Sequence, residues 1–161
     1  MPEWRRSREL PSGPPLPEQA GLPEPVARTR ERIYAAAVRG DYEGLRPLIP
    51  PGGFRYSFGN GGDPIEFWRE LETREGERPL QIMAAILRVP YTIVRAGDVV
   101  YYVWPFVFDR PIDSLTPEEL ALVRTFATDE QIAGWKGFGA YIGYRLGVRA
   151  DGTWLYFVAG D

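Results

Sequence analysis

Hydrophobic residues in the first half of the chain recur mainly at helical spacing. The pattern predicts a helix over residues 26–38, ended by Gly40, and a short second helix over 41–48 that its first residue caps. A third helix is predicted from Asp63, because this N-cap residue precedes a first-turn proline and a capping-box glutamate. Between these helices, "FRYSF" at 54–58 alternates apolar and polar positions, which predicts a half-buried strand.

Helical patterns return twice in the second half of the chain. The segment "PLQIMAAILRV" predicts a helix over 79–89 that is buried on most sides. Thr116-Pro117-Glu118-Glu119 then repeats the cap, proline and glutamate of the third helix and predicts a helix over about 117–127. A shorter helical turn is expected around "DEQIAGW" at 129–135.

Two longer apolar segments predict a hairpin between these helices. "YTIV" at 91–94 and "VVYYVWPFVF" at 99–108 are expected to pair through a turn at Ala96-Gly97. The longer strand is apolar on both faces, so we expect it to be central in its sheet. Pro105 cannot donate a backbone hydrogen bond, so the pairing should weaken there.

The last eighteen residues, "YRLGVRADGTWLYFVAGD", predict a closing hairpin around a two-residue turn at Asp151-Gly152. In that register the core face carries the pairs Val148–Leu155, Leu146–Phe157 and Tyr144–Ala159. The outer face carries Arg149–Trp154 as a cation–π contact, Gly147–Tyr156 with the tyrosine lying over the glycine, and Arg145–Val158. The C-terminal strand should therefore be an integral part of the sheet, and removing it should prevent folding.

The chain of 161 residues is long enough for one domain with a full hydrophobic core. Residues 1–25 hold seven of the sixteen prolines and few apolar residues, which is typical of a disordered tail. Residues 26–161 are expected to form a single α+β domain. In it, N-terminal helices pack on a strongly bent antiparallel sheet, and the C-terminal hairpin closes the sheet.

Composition excludes several kinds of partner and chemistry. The formal net charge is −3, which argues against non-specific nucleic-acid binding. No apolar segment is long enough to span a membrane, and no signal peptide is visible. The expected compartment is the cytoplasm, or the periplasm or exterior if a leader was removed. The chain has no cysteine and no histidine, which excludes disulfides, thiolate catalysis and catalytic triads.

Two short motifs are explained by ordinary structural roles, a loop and a helix cap. The "FGNGGDP" segment lacks the lysine and hydroxyl residue of a phosphate-binding loop, so it is interpreted as a loop before a capped helix. The acidic "FDRPIDSLTPEE" segment matches no calcium-binding spacing and is explained better by helix capping. We therefore expect neither a metal nor another cofactor.

The aromatic residues, 14% of the chain, are the remaining candidates for a site. Rings at this spacing usually belong to the core, but they can also line a pocket for an apolar or sugar-like ligand. The aromatic set comprises Tyr56, Trp68, Tyr102, Trp104, Tyr144 and Trp154. Of these, the candidate ligand-binding residues are Tyr56, Trp68, Tyr102, Trp104 and Tyr144, together with two polar side chains, Asp63 and Arg145. A buried Asp with a Tyr or Arg partner could also act as a base without histidine.

The order of the predicted elements over residues 26–71 resembles the NTF2-like superfamily. The resemblance rests on a long helix, a short helix after "RGDYEGL", the strand "FRYSF" and the "GGDPIEFW" helix. It implies a cone-shaped α+β domain whose helices cover a strongly bent sheet, and the superfamily includes enzymes as well as binding and dimerisation modules. The helix predicted near 117–127 departs from its usual pattern. The ending "YFVAGD" resembles that of small uncharacterised bacterial proteins.

These observations favour a non-catalytic bacterial domain that binds a small apolar ligand or a protein partner. One alternative is an isomerase or hydrolase that uses an Asp–Tyr or Asp–Arg pair in a cavity. Another is a structural interaction domain, and a homodimer is left open. An enzyme should have an enclosed cavity with a carboxylate of raised pKa, whereas an interaction domain should have an exposed apolar patch instead.

Overall fold

The computed structural model describes residues 16–57 and 62–160 and has an α+β fold. Its six α-helices are α1 (Glu24–Val38), α2 (Tyr42–Leu45), α3 (Pro64–Glu70), α4 (Pro79–Leu87), α5 (Pro117–Val123) and α6 (Asp129–Phe138). Its five strands are β1 (Arg55–Tyr56), β2 (Thr92–Ala96), β3 (Val99–Trp104), β4 (Arg145–Arg149) and β5 (Trp154–Val158). A π-helical turn follows α3 at Leu71–Glu75, and short 3₁₀ helices lie at Arg46–Leu48, Phe106–Asp109 and Ile112–Ser114.

The five strands form one sheet in the order β1-β5-β4-β3-β2. Its three longer pairings are antiparallel, as expected, but β1 pairs in parallel with β5. The strand β3 lies between β2 and β4, so it is not at an edge of the sheet. The closing hairpin of β4 and β5 occupies the middle of the sheet, between β1 and β3.

Three residues that were predicted to begin or end a helix are confirmed in that role. The backbone of Gly40 has φ = +66°, a conformation that favours glycine, and α1 ends just before it. The Asp41 carboxylate accepts a hydrogen bond from the Gly44 amide at 3.0 Å and so caps α2. Asp63 caps α3 in the same way, through the Ile65 amide at 2.9 Å.

The predicted strands are longer than the observed ones. β1 contains only two residues, and Phe58 of the predicted strand lies outside the described residues. β3 ends at Trp104 instead of continuing to 108, because Pro105 cannot donate to the ladder, and a 3₁₀ helix follows at Phe106–Asp109. The β2–β3 turn lies one residue later than predicted, since Ala96 pairs with Val99.

The closing hairpin turns differently from the prediction. The Arg149 amide donates to the Thr153 carbonyl at 2.8 Å, and the Arg149 carbonyl accepts from the Gly152 amide at 2.8 Å. These bonds close a three-residue loop over 150–152, in which Gly152 takes φ = +96°. The Asp151 carboxylate holds this loop by accepting from the Thr153 amide at 3.0 Å and by pairing with the Arg149 guanidinium.

The longer loop moves Trp154 to the core face of the sheet. Trp154 pairs with Val148, whereas Tyr156 still pairs with Gly147 as predicted, so Leu155 is an extra residue that forms a β-bulge. Trp154 is fully buried and Leu155 only half-buried. The predicted Val148–Leu155 pair and the Arg149–Trp154 contact are therefore wrong.

Three of the other predicted pairs are confirmed, whereas the predicted Tyr144–Ala159 pair lies beyond the observed strands, which begin at Arg145 and end at Val158. Arg145 pairs with Val158, and Leu146 pairs with Phe157. Tyr156 lies over Gly147 as expected: a Cβ atom at that glycine would be 2.6 Å from the tyrosine ring. On the outer side of Tyr156, the Arg55 guanidinium lies 5.2 Å from the centre of its ring.

Part of the predicted tail contacts the domain. Residues 1–15 lie outside the described residues, but Gln19 donates to the Val89 carbonyl at 2.7 Å and accepts from the Trp104 indole at 3.0 Å. The Tyr91 hydroxyl donates to the Ala20 carbonyl at 2.7 Å. The segment 16–23 therefore packs along the domain, and helix α1 begins two residues before the predicted boundary at Val26.

The buried apolar side chains form two clusters. The main cluster joins α1, α3 and α4 to one face of the sheet and includes the fully buried side chains of Ile33, Trp68, Leu146 and Phe157. The second cluster lies in the segment between β3 and β4 and includes Val107, Val123, Ile132, Trp135 and Tyr141. Phe126 packs against both clusters, so it marks the line along which they meet. None of the described helices has the length and the apolar character that crossing a membrane requires.

Candidate functional site

Three of the seven predicted site residues are parts of the core. Trp68, Tyr102 and Trp104 are all buried in the main hydrophobic cluster. Trp68 packs against Trp154 and Phe157 with ring centroids 6.0 and 5.7 Å away. These rings fill space between the helices and the sheet, which agrees with the ordinary interpretation of aromatic spacing.

The two polar candidates lie apart from each other. Asp63 caps α3 at the surface, and an ion pair with Arg46 at 2.7 Å lowers the pKa of its carboxyl, chiefly through that hydrogen bond. Arg145 donates to the Gly160 carbonyl at 2.9 Å and lies 6.0 Å from the Phe108 ring. Asp63 therefore forms an Asp–Arg pair, but an exposed one that lowers the pKa of its carboxyl, whereas base catalysis would need such a pair in a cavity.

Tyr56 and Tyr144 are the two half-buried candidates. Tyr56 packs against Phe67 and Trp68 at the edge of the main cluster. Tyr144 stacks on Phe157 with ring centroids 4.5 Å apart and an interplanar angle of 12°. Tyr144 also lines a concave, mainly apolar site.

That site is a cleft of about 390 Å³ at the junction of the two hydrophobic clusters. It lies between the first half of α4, the start of α6, and the chain segments that lead into β4 and out of β5. It is referred to below as the junction cleft. Its apolar lining consists of Ile82, Phe126, Trp135, Tyr141, Ile142, Gly143, Tyr144 and Ala159, and its polar lining consists of Glu77, Arg78 and Gln131.

Aromatic side chains hold the wall of the cleft in place. Trp135 and Tyr141 meet edge to face with centroids 4.7 Å apart, and the Tyr141 hydroxyl donates to the Tyr144 carbonyl. Gly143 is required between these rings, since a Cβ atom there would be 2.8 Å from Trp135 and 2.7 Å from the Tyr141 hydroxyl. The wall is thus preorganised by packing, as ligand pockets generally are.

Polar groups lie at one end of the cleft. The Tyr144 hydroxyl donates to the Glu77 carboxylate at 3.4 Å, and burial, followed by the nearby negative charge of Glu77, raises the pKa of this tyrosine. Tyr144 therefore stays protonated and acts as a donor. Arg78 is half-buried, and its side chain makes no hydrogen bond, ion pair or ring contact within residues 16–57 and 62–160.

A second opening of about 290 Å³ adjoins the junction cleft. The two share Ile82, Phe126 and Gln131, and the second continues along α4 past Gln81 and Ala85. Its far side is formed by residues 124–128 of the α5–α6 connection. The two openings therefore lie next to each other between α4 and the second hydrophobic cluster, and together they are called the groove below.

A larger opening, of about 540 Å³, is lined mainly by charged and polar groups that are bound to one another. In it Arg69 pairs with Glu43 at 2.6 Å and lies 5.1 Å from the Tyr42 ring. The hydrogen bond from Arg46 is the main cause that lowers the pKa of Glu43 to about 2. The Tyr42 hydroxyl donates to the Glu72 carboxylate. These mutual pairs connect α2 to α3, while the buried Nε of Arg69 has no hydrogen-bond partner among the described residues.

The acidic segment before α5 serves as a helix cap, as predicted. Thr116 and Glu119 form a capping box, and Glu119 also pairs with Arg110. The hydrogen bond from Arg110 is the main cause that lowers the pKa of Glu119 to about 2. No group of three or more acidic side chains in the described part of the chain could hold a metal ion.

Sequence reasoning missed most of the junction cleft. The lining residues come from separate segments of the chain, and no local spacing connects them. Three of these segments contribute Arg78 with Ile82, Phe126, and Trp135. The one available signal was the apolar pattern of "DEQIAGW", which predicts that Trp135 is buried but not what lies opposite it.

Comparisons of the chain with protein-family models, with curated proteins and with solved structures found no match. The resemblance of residues 26–71 to the NTF2-like superfamily therefore stays a prediction. The function must be inferred from the cleft itself.

Proposed function

We propose that the protein binds a small, mainly apolar molecule in the junction cleft and does not act on it chemically. The observation that carries this proposal is the cleft of about 390 Å³ with an aromatic wall and a few polar groups at one end. Its volume lies within the roughly 300–1,000 Å³ that small-molecule sites occupy, and a mixed lining of this kind orients a ligand while its apolar body is buried.

The electrostatics favour binding over catalysis. A carboxylate base that works near neutral pH needs a raised pKa. Four carboxyl groups among the described residues have clearly lowered pKa values, and in each case an arginine partner is the main cause. They belong to Glu43, Asp63, Glu119 and Asp151. The carboxylate in the cleft, Glu77, is exposed and already accepts from Tyr144. This arrangement supports a ligand carrier or sensor more than an isomerase or hydrolase.

The exposed apolar residues do not favour an interaction domain. Ile93 and Val99 are each 42% exposed, but strand alternation places them on opposite faces of the β2–β3 hairpin. Phe138 is 56% exposed at the end of α6. Leu122 of α5 is 37% exposed. Exposed residues of this kind are common on soluble domains and do not by themselves indicate an interaction surface.

A substitution in the cleft tests the proposal. We expect 1-octanol to raise the melting temperature of the wild-type protein and to bind measurably by calorimetry. Ile82→Glu places a charge in the wall of the cleft and should weaken this binding at least tenfold. Ile93→Glu introduces the same charge outside the cleft and should leave the binding unchanged.

Both variants must melt cooperatively for the comparison to count. If Ile82→Glu unfolds, Ala159→Leu is the second variant, since Ala159 lines the junction cleft and a larger apolar side chain there reduces the volume of the cleft. The proposal fails if 1-octanol does not bind the wild type, or if it binds the folded cleft variants as tightly as Ile93→Glu.

A further inference from the structure

The groove formed by the two openings is elongated, and its shape limits the ligand. This inference rests on the function proposed above. Ile82 and Ala85 lie three residues apart on one face of α4, and Arg78, the N-cap residue just before the helix, precedes Ile82 by four residues. Seven residues at helical rise span roughly 10 Å, so the stretch from Arg78 to Ala85 provides a track of about that length. A compact ring would fill one opening only, whereas a linear chain can occupy both.

Each of the two openings is lined by one arginine, and in the described part of the chain only one of these two arginines is paired with a carboxylate. Arg78 stands at the end that belongs to the junction cleft, and its half-buried side chain has no partner among the described residues. Arg124 stands at the other end, where an ion pair with Asp129 at 2.9 Å occupies its guanidinium. An incoming anion would therefore gain most at Arg78, because that cation is partly removed from water and uncompensated.

The other polar groups that line the junction cleft do not offset the attraction of Arg78 for an anion. Glu77 is negative, but it is exposed to water and is further engaged by the Tyr144 hydroxyl. Gln131 is neutral, and its side-chain oxygen accepts from the Thr128 amide as part of a capping box. Solvent screens an exposed charge more than a half-buried one, so Arg78 dominates the field felt by a head group in the cleft.

We infer that the groove binds a linear carboxylic acid of medium chain length. Its carboxylate pairs with Arg78, and its alkyl chain runs past Ile82 and Phe126 toward Ala85. Arginine suits this role because its planar guanidinium can donate two parallel hydrogen bonds to a carboxylate.

The test compares three probes with the same eight-carbon chain at pH 7, namely octanoate, 1-octanol and octylammonium. By calorimetry, the wild type should bind octanoate about tenfold more tightly than 1-octanol and should bind octylammonium most weakly. Arg78→Gln should remove the preference for octanoate, so that octanoate binding falls at least about fivefold more than 1-octanol binding. Arg124→Gln, the matched control, should keep the preference.

A chain-length series tests the orientation along the groove. From butanoate to octanoate, each added methylene should raise the affinity two- to fourfold, since each buries further apolar surface. A flat series would overturn the elongated binding mode.

The outcomes separate this inference from the function on which it rests. If 1-octanol binds but octanoate is not preferred, or if octylammonium binds best, the acid inference is wrong and the apolar site stands. Loss of the preference in Arg124→Gln but not in Arg78→Gln would also overturn it. If none of the three probes binds, both proposals fail.

Discussion

A chain that ends at Thr153 is expected to be insoluble or unfolded, because it lacks a strand from the middle of the sheet. β5 lies between β1 and β4, so its loss leaves both of them without their shared partner. It also removes two fully buried rings, Trp154 and Phe157, from the main cluster. Each such ring contributes about 3–5 kcal/mol, and two together approach the whole stability of a typical domain, about 5–15 kcal/mol.

A graded version of this prediction uses point substitutions in the full chain. Phe157→Ala should lower the free energy of unfolding by about 3–5 kcal/mol, measured by urea denaturation. Phe138→Ala is the control, since it removes the same atoms from an exposed ring and should change stability by no more than about 0.5 kcal/mol. A soluble truncation that melts cooperatively, or equal effects of the two substitutions, would contradict the central position of β5.

The second large effect is expected at Trp154, and it tests the turn of the closing hairpin. Trp154→Ala should cost about 3–5 kcal/mol, because the ring is fully buried between Phe54 and Trp68 and its indole donates to the Tyr156 carbonyl. Leu155→Ala should cost about 1 kcal/mol, since the bulged residue is half-buried. A two-residue turn would reverse this order, with Leu155 in the core and Trp154 outside.

The error in the turn has an identifiable cause. An Asp-Gly pair between apolar residues fits a two-residue turn, but glycine is equally suited to the last position of a three-residue loop. Contacts outside the hairpin favour the longer loop here. The Thr29 hydroxyl of α1 donates to the Gly152 carbonyl at 2.6 Å, and Gly152 lies so close to Pro25 that a Cβ atom would be 2.9 Å from the proline carbonyl oxygen.

Local chemistry made other parts of the fold predictable. The N-caps at Asp41, Asp63 and Thr116 depend on residues within one helical turn, and each is confirmed. The pairing of Gly147 with Tyr156 was predicted from a two-residue turn, and it holds because the bulge at Leu155 offsets the extra residue of the three-residue loop. By contrast, the parallel pairing of β1 with β5 joins residues about 100 positions apart, and no local pattern encodes it.

The candidate site was less predictable than the fold for the same reason. Of the seven predicted residues, Tyr144 alone lines the junction cleft. Trp68 and Trp104 look identical in sequence to pocket-lining rings, and only their positions between helices and sheet show that they are core residues. The unpaired state of Arg78 could not be read from the sequence either, because it depends on which carboxylates the fold brings near it.

The junction cleft is tested most directly by isoleucine methyl NMR spectra during a titration with 1-octanol. Ile82 and Ile142 line the cleft, Ile33, Ile65 and Ile86 are fully buried in the main cluster, and Ile93 is exposed on β2. We expect the methyl signals of Ile82 and Ile142 to shift with a common saturation curve while the other four stay within the line width. The cleft assignment is contradicted if no signal shifts, if Ile93 shifts most, or if the shifts spread evenly over the core.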